Sequence, residues 1–563
     1  MTIHLIPFDA NAPTRWHIFL WGVTMVTLLA LCLYDWHSYQ VGTYGDDGSY
    51  VTNTDSLLQG VPYGTLLTPN ENRATQFPFL LPLLLTPLRA LFPASLDVLR
   101  VLPLVTTLLA VTVLFWGWRS IGQGLSYDWG VAVLALTALS PVTILHARTI
   151  MSEAPFLLFA LAMIVWVERI LRDPPRAWGI VFGILTVCVL YTRTIGWLFV
   201  ACWLIYLFWK GGRKLVPQFG LAAATIAMLL GSVLVLTSVR ATDLLPQEYI
   251  TDLFGTRSAM NTVLTMGSIV VSTDEKLIDT PIRLGSGAQR VWTETLLHLD
   301  VAEKLPFQME RALTEWTDRA GVPFLRYLPS VFMLLVVMVG AVAWWRATGL
   351  TAFQIIVPPY LLLLVAWVWN GTRLAYPIQP QLLLAFLMGV FVVTRVIVAR
   401  VTSDASAARL SGYVTGTVTV LLLVSSVLLD VLFQRAMLLP GDQYARAAQL
   451  EHYLPRATIV LSTRATTDHL YVARTFIDIP TRLNSTQTLN DYLQRQQIEY
   501  VVTHYGVKPI GDQKNLRIGS VKRFVVALEP LIQIGALELK FLDAPNDLAV
   551  YRVDQDALKS FVP

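Results

Sequence analysis

The stretch Tyr44-Gly45-Asp46-Asp47-Gly48-Ser49-Tyr50 places two adjacent carboxylates shortly after the first long apolar run of the chain, residues 16–34. Such a run has about the 20 residues that a helix needs to cross a bilayer. Neighbouring ionised carboxylates repel each other and resist burial unless a cation, a metal ion or a proton joins them. Just outside a membrane, the pair can serve as general base, metal ligand or substrate clamp, although Gly-Asp-Asp-Gly is also good turn chemistry.

The composition of the whole chain indicates a polytopic membrane protein. Of its 563 residues, 55% are hydrophobic and only 14% are charged, and the mean hydropathy is +0.56. An average soluble domain has about 25% charged residues. The three cysteines lie in apolar runs, so no disulfide framework and no Cys-x-x-Cys metal motif is expected. No small-residue cleavage site follows the first apolar run, which we therefore expect to be a retained helix.

Hydropathy predicts a mostly α-helical fold with about eleven membrane-spanning helices. The expected spans are residues 16–34, 96–118, 129–147, 153–171, 177–192, 194–210, 217–238, 323–345, 352–369, 374–398 and 411–433. The apolar stretch 79–93 is short and interrupted by three prolines. We expect it to lie at the membrane interface rather than to span the bilayer.

The distribution of basic residues predicts the orientation of these spans. With a cytoplasmic N-terminus, twelve Arg and Lys residues at span ends and short connections lie inside and six lie outside. The first loop (35–95), the long loop (240–321) and the C-terminal tail are then extracytoplasmic, on the outer side of a plasma or inner membrane. The six outer residues run against the bias, which suggests that another role keeps some of them there. They are Arg73, Arg89, Arg100, Arg148, Arg193 and Arg373.

Two domains are expected, because the composition changes after about residue 434. Residues 1–434 would form a transmembrane catalytic domain, and 435–563 a soluble α/β domain. Buried strands are predicted at 457–462, 499–503 and 548–553, with a helix at 489–497. The loop 240–321 is longer than the roughly 15 residues of ordinary connections, so we expect amphipathic helices in it that cover a cavity.

Further polar motifs lie at the same predicted face. Arg148 and Glu153 are five residues apart in the stretch 140–156, where two spans meet. Charges at such a depth are paired or face a cavity, and a purely structural Arg–Glu pair is an equally good interpretation. Arg193 occupies another turn, and Arg373 precedes the start of a late span. A guanidinium can hold phosphate through two parallel hydrogen bonds, although snorkelling to lipid head groups is its commoner fate.

Taken in order, these motifs resemble those of the GT-C glycosyltransferases that use polyprenyl-phosphate sugars. The similarity is greatest to protein O-mannosyltransferases and bacterial lipid A aminoarabinose transferases. The matching elements are the acidic pair, the Ser-Pro to Pro-Phe junction at 140–156, the Thr-Arg-x-x-Gly turn at 192–196 and the Arg to Tyr-Pro element at 373–380. The resemblance covers roughly residues 15–435, and a soluble α/β tail is also common in this family.

The resemblance implies an inverting hexosyl- or pentosyltransferase. Its donor would be a polyprenyl-phosphate sugar, and its acceptor a hydroxyl of a protein, a lipid or a cell-envelope glycan. One of Asp46 and Asp47 would be the catalytic carboxylate. Arg193, Arg373 and Arg148 would bind the donor phosphate, and Tyr50, Tyr63, Glu153 and Tyr376 would line the cavity. A divalent metal ion is a candidate cofactor, for which Asp47 and Glu71 are candidate ligands.

The chain departs from the family pattern at 75–79, where Thr-Gln-Phe-Pro-Phe replaces the Lys-Pro-Pro element of many relatives. This weakens an assignment to the aminoarabinose branch and leaves the broad class intact. A transporter or lipid flippase is the main alternative function, but it would need charged or broken elements near mid-membrane. A polysaccharide polymerase or ligase is a second alternative. No nucleic-acid partner is expected, and the oligomeric state is left open.

Overall fold

The structure of the protein is a computed structural model. It describes residues 12–34, 36, 39–42, 46–64, 66–67, 77–237, 239, 328–366, 376–437, 443–456, 458–472, 474–479, 485–504, 519–543 and 548–561. Four features predicted from the sequence lie outside these residues: the loop 240–321, Glu71, Arg73 and Arg373.

Helices make up the described part of the chain up to residue 437. They are α1 (Arg15–Leu33), α2 (Asp46–Gln59), α3 (Leu80–Leu91), α4 (Val101–Trp116), α5 (Trp118–Ile121), α6 (Tyr127–Ala138), α7 (Pro141–Arg148), α8 (Glu153–Arg172), α9 (Trp178–Thr192), α10 (Gly196–Gly211), α11 (Val216–Leu236), α12 (Leu328–Thr348), α13 (Val357–Ala366), α14 (Gln379–Val398) and α15 (Asp404–Met437). Each predicted span coincides with one of these helices or, for 129–147, with the pair α6 and α7. The predicted interfacial stretch 79–93 coincides with α3.

The length and composition of several of these helices are those of membrane-spanning helices. Within the described residues, six helices are long and apolar enough to cross a membrane, namely α1, α4, α8, α11, α14 and α15. The pair α6 and α7 adds a seventh if it counts as one span, but it is bent by 57°. The bend has a local cause, because Pro141 has no N–H for a continuous helix and the Ser140 hydroxyl caps α7 by accepting from the Thr143 amide. The expected total of eleven spans stays a prediction.

The end of the chain folds around a five-stranded sheet. Its strands are β1 (Ile459–Ser462), β2 (Thr475–Asp478), β3 (Tyr500–Thr503), β4 (Leu537–Asp543) and β5 (Leu548–Val553), in the order β2-β1-β3-β5-β4. The accompanying helices are α16 (Gln443–Tyr453), α17 (Ala465–Tyr471), α18 (Thr486–Arg495), α19 (Gly519–Gln533) and α20 (Gln555–Lys559). β1 is parallel to β2 and β3, whereas β5 is antiparallel to β3 and β4. We call these elements the C-terminal sheet unit. The strands expected at 457–462, 499–503 and 548–553 coincide with β1, β3 and β5.

Helices α12 and α14 approach each other closely through two glycines. A Cβ added to Gly340 would overlap the carbonyl oxygen of Ala385, and one added to Gly389 would overlap that of Val336. Small residues that let backbones meet are a common basis of helix packing in membranes. This contact holds α14, whose first residues belong to the candidate site described below.

We therefore expect Gly340→Ala to destabilise the protein. Overpacking of a close contact typically costs about 1–3 kcal/mol, whereas Gly→Ala in an open helix position gains up to about 1 kcal/mol. Gly412 in α15 has no atom within 4 Å of an added Cβ, so Gly412→Ala is the matched control. Thermal unfolding of the solubilised full chain should show a lower midpoint for the first variant only. Equal midpoints for the two variants would contradict the close contact.

Candidate functional site

Asp46 and Asp47 form the first turn of α2, where acidic side chains interact favourably with the helix dipole. Asp47 is completely buried. Its Oδ2 accepts a hydrogen bond from the amide of Gly42 at 2.6 Å and another from the hydroxyl of Tyr39. Asp46, Asp47 and Gly48 thus begin a helix, and the side chain of Asp47 joins that helix to Tyr39 and Gly42 by hydrogen bonds.

The two aspartates lie in different environments. Asp46 is partly exposed, whereas Asp47 has no accessible surface. A side chain that contacts a substrate needs access to it, so the two carboxylates cannot have the same role. The sequence contains no sign of this difference, because both residues lie in the same symmetrical motif.

Arg100 lies under the loop that Asp47 holds, and its side chain is completely buried. Its Nε donates to the carbonyl of Arg148 at 2.8 Å, and its Nη1 donates to Asp97 at 3.1 Å and to the carbonyl of Tyr39 at 3.4 Å. The guanidinium also stacks 4.0 Å from the ring of Trp36. Arg100 therefore connects the loop at Tyr39 to the end of α7. In the sequence, Arg100 was notable only as one of the six basic residues on the side predicted to have fewer of them.

A second group of contacts joins α2 to the start of α8, and the start of α8 to the turn between α9 and α10. The hydroxyl of Tyr50 donates to Ser152 Oγ at 2.8 Å. The neighbouring Glu153, 2% exposed, forms an ion pair with Arg193. Burial raises the pKa of Tyr50, and the negative charges of Glu153 and Asp46 raise it further, while Arg193 lowers it. Tyr50 is thus within electrostatic reach of all three charged groups.

Three of the six arginines that the charge count predicts on the outer side form ion pairs with carboxylates. Arg193 pairs with Glu153 as described above, and Arg100 pairs with Asp97 at 3.1 Å. Arg89 of α3 holds Asp55 of α2 through both carboxylate oxygens, at 2.8 and 3.2 Å. An Arg148–Glu153 pair was one interpretation of the sequence, and the ion pair that the structure shows at Glu153 is the one with Arg193. Arg148 itself is 1% exposed.

The predicted cavity residues Tyr63 and Tyr376 are completely buried. The Tyr63 hydroxyl donates to the carbonyl of Phe77 at 2.9 Å, just before α3. The ring of Tyr376 lies 4.9 Å from that of His146 in α7. Next to it, Gln379 Nε2 donates to Ser140 Oγ at 2.9 Å across 239 residues of sequence. The motif at 140–156 therefore meets residues 376–380, the described part of the later motif. The role of these tyrosines in lining a cavity stays a prediction.

Solved structures of other proteins have a similar architecture. No family model matches the sequence, and no curated protein matches it. The structure is similar to that of ArnT from Cupriavidus metallidurans in the apo state, with a TM-score of 0.51 and 11% identity over 97% of this chain and 99% of that chain. The same protein bound to undecaprenyl phosphate gives a TM-score of 0.50 and 12% identity over 96% and 98%. The apo oligosaccharyltransferase from Archaeoglobus fulgidus gives 0.50 and 13% over 88% and 70%.

The chain has the GT-C fold. The resemblance inferred from the order of the motifs is thereby confirmed. At 11 to 13% identity, the similarity establishes the fold and leaves the substrate open. The candidate site comprises the contacts that join α2 to α3 and to the start of α8, together with the Glu153–Arg193 pair. The contact between Gln379 of α14 and Ser140 lies beside α7.

The described residues do not fit a metal ion at this site. No three His, Cys, Asp or Glu side chains of the described ranges come together as ligands. Oδ2 of Asp47 already accepts two hydrogen bonds, from Tyr39 and Gly42. The other candidate ligand, Glu71, lies outside the described residues. We therefore derive no step through a metal ion.

A polar cluster at the opposite end of α8 was missed by the sequence analysis. Glu168 is 2% exposed and accepts hydrogen bonds from the Ala352 amide at 2.7 Å, from the Tyr206 hydroxyl at 3.1 Å and from Gln123 Nε2. An acid inside an apolar span is a signal that could have found it. These donors stabilise the carboxylate and join α8 and α10 to the turn before α13, far from Glu153 along the same helix.

Proposed function

We propose that the protein is an inverting glycosyltransferase. It moves a sugar from a polyprenyl-phosphate donor to an acceptor hydroxyl of a protein, lipid or cell-envelope glycan. The observation that carries the proposal is that Tyr50, one helical turn after Asp46, donates to Ser152 beside the buried Glu153–Arg193 pair, in a chain with the GT-C fold. The ArnT structure with bound undecaprenyl phosphate supports a lipid phosphate as the carrier.

Asp46 is the general base in this mechanism. Its carboxylate takes the proton of the acceptor hydroxyl as the hydroxyl oxygen bonds to the anomeric carbon of the sugar. The bond from that carbon to the phosphate oxygen breaks on the opposite face, so the configuration inverts. Polyprenyl phosphate leaves with the bonding electrons. Asp47 has no accessible surface and instead keeps the first turn of α2 in place.

Arginine side chains stabilise the charge that develops on the leaving phosphate. Arg193 retains 14% side-chain exposure beside its ion pair with Glu153. A guanidinium has five N–H donors, so one edge can bind Glu153 while another faces a phosphate. Arg148 adds positive charge from its buried position, and Arg373 precedes Tyr376 by three residues of sequence.

The site faces the extracytoplasmic side in this proposal, with residues 1–434 as the catalytic domain and 435–563 as a soluble domain. The charge count supports a cytoplasmic N-terminus. The hydroxyl of Tyr471 in the C-terminal sheet unit donates to the carbonyl of Val41 in the loop before α2. That contact requires the C-terminal sheet unit and the acidic turn to lie on the same side of the membrane.

The transferase proposal is tested with the purified full chain in lipid nanodiscs and a panel of polyprenyl-phosphate monosaccharides. We expect release of polyprenyl phosphate from one donor of the panel, and competition by added undecaprenyl phosphate. If no donor is turned over and undecaprenyl phosphate does not bind, the proposal is wrong. Binding without turnover, accompanied by movement of the lipid between leaflets, would favour the flippase alternative.

Arg373→Ala is expected to raise the KM for the donor by about 10- to 100-fold, because hydrogen bonds to charged groups contribute about 1.5–3 kcal/mol. Arg400→Ala is the matched control, since Arg400 is an exposed arginine just beyond the far end of α14. Donor KM values for the two variants and the wild type provide the measurement. An unchanged KM for Arg373→Ala would place this arginine outside the donor site.

A further inference from the structure

The C-terminal sheet unit contacts the loop that precedes α2 through one short helix, α17. The hydroxyl of Tyr471 donates to the carbonyl of Val41 at 2.8 Å, and that of Thr467 donates to the carbonyl of Gly42 at 3.2 Å. The two residues are four positions apart and so lie on the same face of the helix. Both hydroxyls thus bind neighbouring peptide groups of one loop.

One of these peptide groups also donates a hydrogen bond to the side chain of Asp47. The carbonyl of Val41 and the amide of Gly42 belong to the same planar unit. Tyr471 binds this unit at its oxygen, and the N–H on the other side donates to Asp47 Oδ2 at 2.6 Å. A hydrogen bond to the carbonyl orients the plane and strengthens the bond that its N–H makes. The hydroxyl of Tyr471 is therefore coupled to the carboxylate of Asp47 through one rigid group.

Two glycines permit α17 to come this close. Gly42 has φ of +92°, a conformation that side-chain-bearing residues rarely adopt, and an added Cβ would lie 3.0 Å from Thr467 Oγ1. A Cβ added to Gly48 in α2 would lie 2.9 Å from Thr466 Cγ2. The second glycine of Gly-Asp-Asp-Gly therefore makes room for α17, a role that differs from the turn chemistry expected from the sequence.

The contact continues along α2. His469 of α17 lies close enough to Asp55 and Arg89 for both charges to influence its pKa, which burial lowers below the usual value. Asp55 and Arg89 form the ion pair between α2 and α3. The helix α17 thus covers α2 from its first turn to its third.

We propose that α17 is a clamp on the site, and that Thr467 and Tyr471 are positioning residues for the carboxylates of α2. They hold the peptide group that fixes Asp47, and Asp47 in turn fixes the first turn of the helix from which Asp46 projects. The kinetic consequence of this inference rests on the proposed function. The structural consequence, the ordering of the loop at Gly42, does not.

The test compares variants that lose only a hydroxyl group. Tyr471→Phe and Thr467→Val keep the shape of the side chain, and Thr467→Ser restores the hydroxyl. Tyr492→Phe is the matched control, because its hydroxyl donates to the carbonyl of Asp478 inside the C-terminal sheet unit. The full chain is studied in nanodiscs by hydrogen exchange of the peptide 39–50 and by kcat and KM for sugar transfer.

We expect faster exchange of the 39–50 peptide in Tyr471→Phe and Thr467→Val, by a factor of about 2 to 12 for each lost hydrogen bond. The value of kcat should fall by a similar factor at constant donor KM, since the donor site is unchanged. Thr467→Ser and Tyr492→Phe should behave like the wild type.

Unchanged exchange in both hydroxyl-free variants would overturn the clamp. Faster exchange with unchanged kcat would overturn the positioning role. If the wild type transfers no sugar at all, the proposed function fails, and exchange at Gly42 still decides whether α17 orders the loop.

Discussion

Asp46→Asn is expected to reduce kcat for sugar transfer by about 100- to 10,000-fold, the usual contribution of a general base. Asparagine has nearly the same shape as aspartate but cannot take a proton from the acceptor. Because Asp46 is partly exposed at the start of α2, we expect the thermal midpoint to stay close to that of the wild type. Turnover under saturating donor and thermal unfolding of the same preparation provide the two measurements.

The neighbouring aspartate is the natural comparison. Asp47→Asn weakens charge-assisted hydrogen bonds from Tyr39 and Gly42 to a completely buried carboxylate. We therefore expect a lower thermal midpoint, by an amount corresponding to about 1.5–3 kcal/mol, in addition to reduced turnover. Loss of turnover in Asp47→Asn at full stability, with normal turnover in Asp46→Asn, would reverse the two roles. Normal turnover in both variants would refute the mechanism.

The second large effect is expected at the ion pair between Glu153 of α8 and Arg193 in the turn between α9 and α10. Arg193→Met leaves Glu153 buried without this partner, and breaking such a pair costs about 3–5 kcal/mol. The double variant Glu153→Gln/Arg193→Met removes both charges and should recover most of the lost stability. If Arg193 also binds the donor phosphate, the double variant should still have a donor KM raised by about tenfold or more. Thermal midpoints and donor KM values separate the two roles.

The ion pair between Asp55 and Arg89 provides the control for this experiment. The side chain of Arg89 is 16% exposed, close to the 14% of Arg193, whereas Asp55 at 11% is more exposed than Glu153 at 3%. Nothing assigns this pair to the donor. The double variant Asp55→Asn/Arg89→Met should therefore keep a wild-type KM. A wild-type KM in the Glu153→Gln/Arg193→Met variant would make Arg193 a purely structural residue.

Local patterns were sufficient for most elements of the fold. A helix that crosses a bilayer must satisfy its own backbone groups and present apolar side chains, so each one appears as a continuous apolar run. The same reasoning identified β1, β3 and β5, whose buried residues form short apolar runs. It did not identify β2, which has only four residues, or β4, whose middle residues are exposed and include Glu538 and Lys540. The order of polar motifs between these runs was enough to suggest a GT-C protein.

Local sequence patterns could not show which side chains of the candidate site contact each other. Tyr50 meets Ser152 across 102 residues, and Gln379 meets Ser140 across 239. Hydrogen bonds depend on atoms being about 3 Å apart, and sequence spacing contains that information only within a turn of helix or a hairpin. For the same reason, Arg100 and Glu168 appeared in the sequence only as charges in unfavourable places.

The Gly-Asp-Asp-Gly stretch shows which properties depend on the sequence alone and which depend on the tertiary structure. Its sequence alone determined that two acids follow the first apolar helix, since composition and order depend only on the chain. Only the tertiary structure decided that Asp47 is buried against Tyr39 and Gly42 while Asp46 is partly exposed, and that Gly48 admits α17. Burial and hydrogen bonding are properties of what surrounds a residue, and α17 lies more than 400 residues further along the chain.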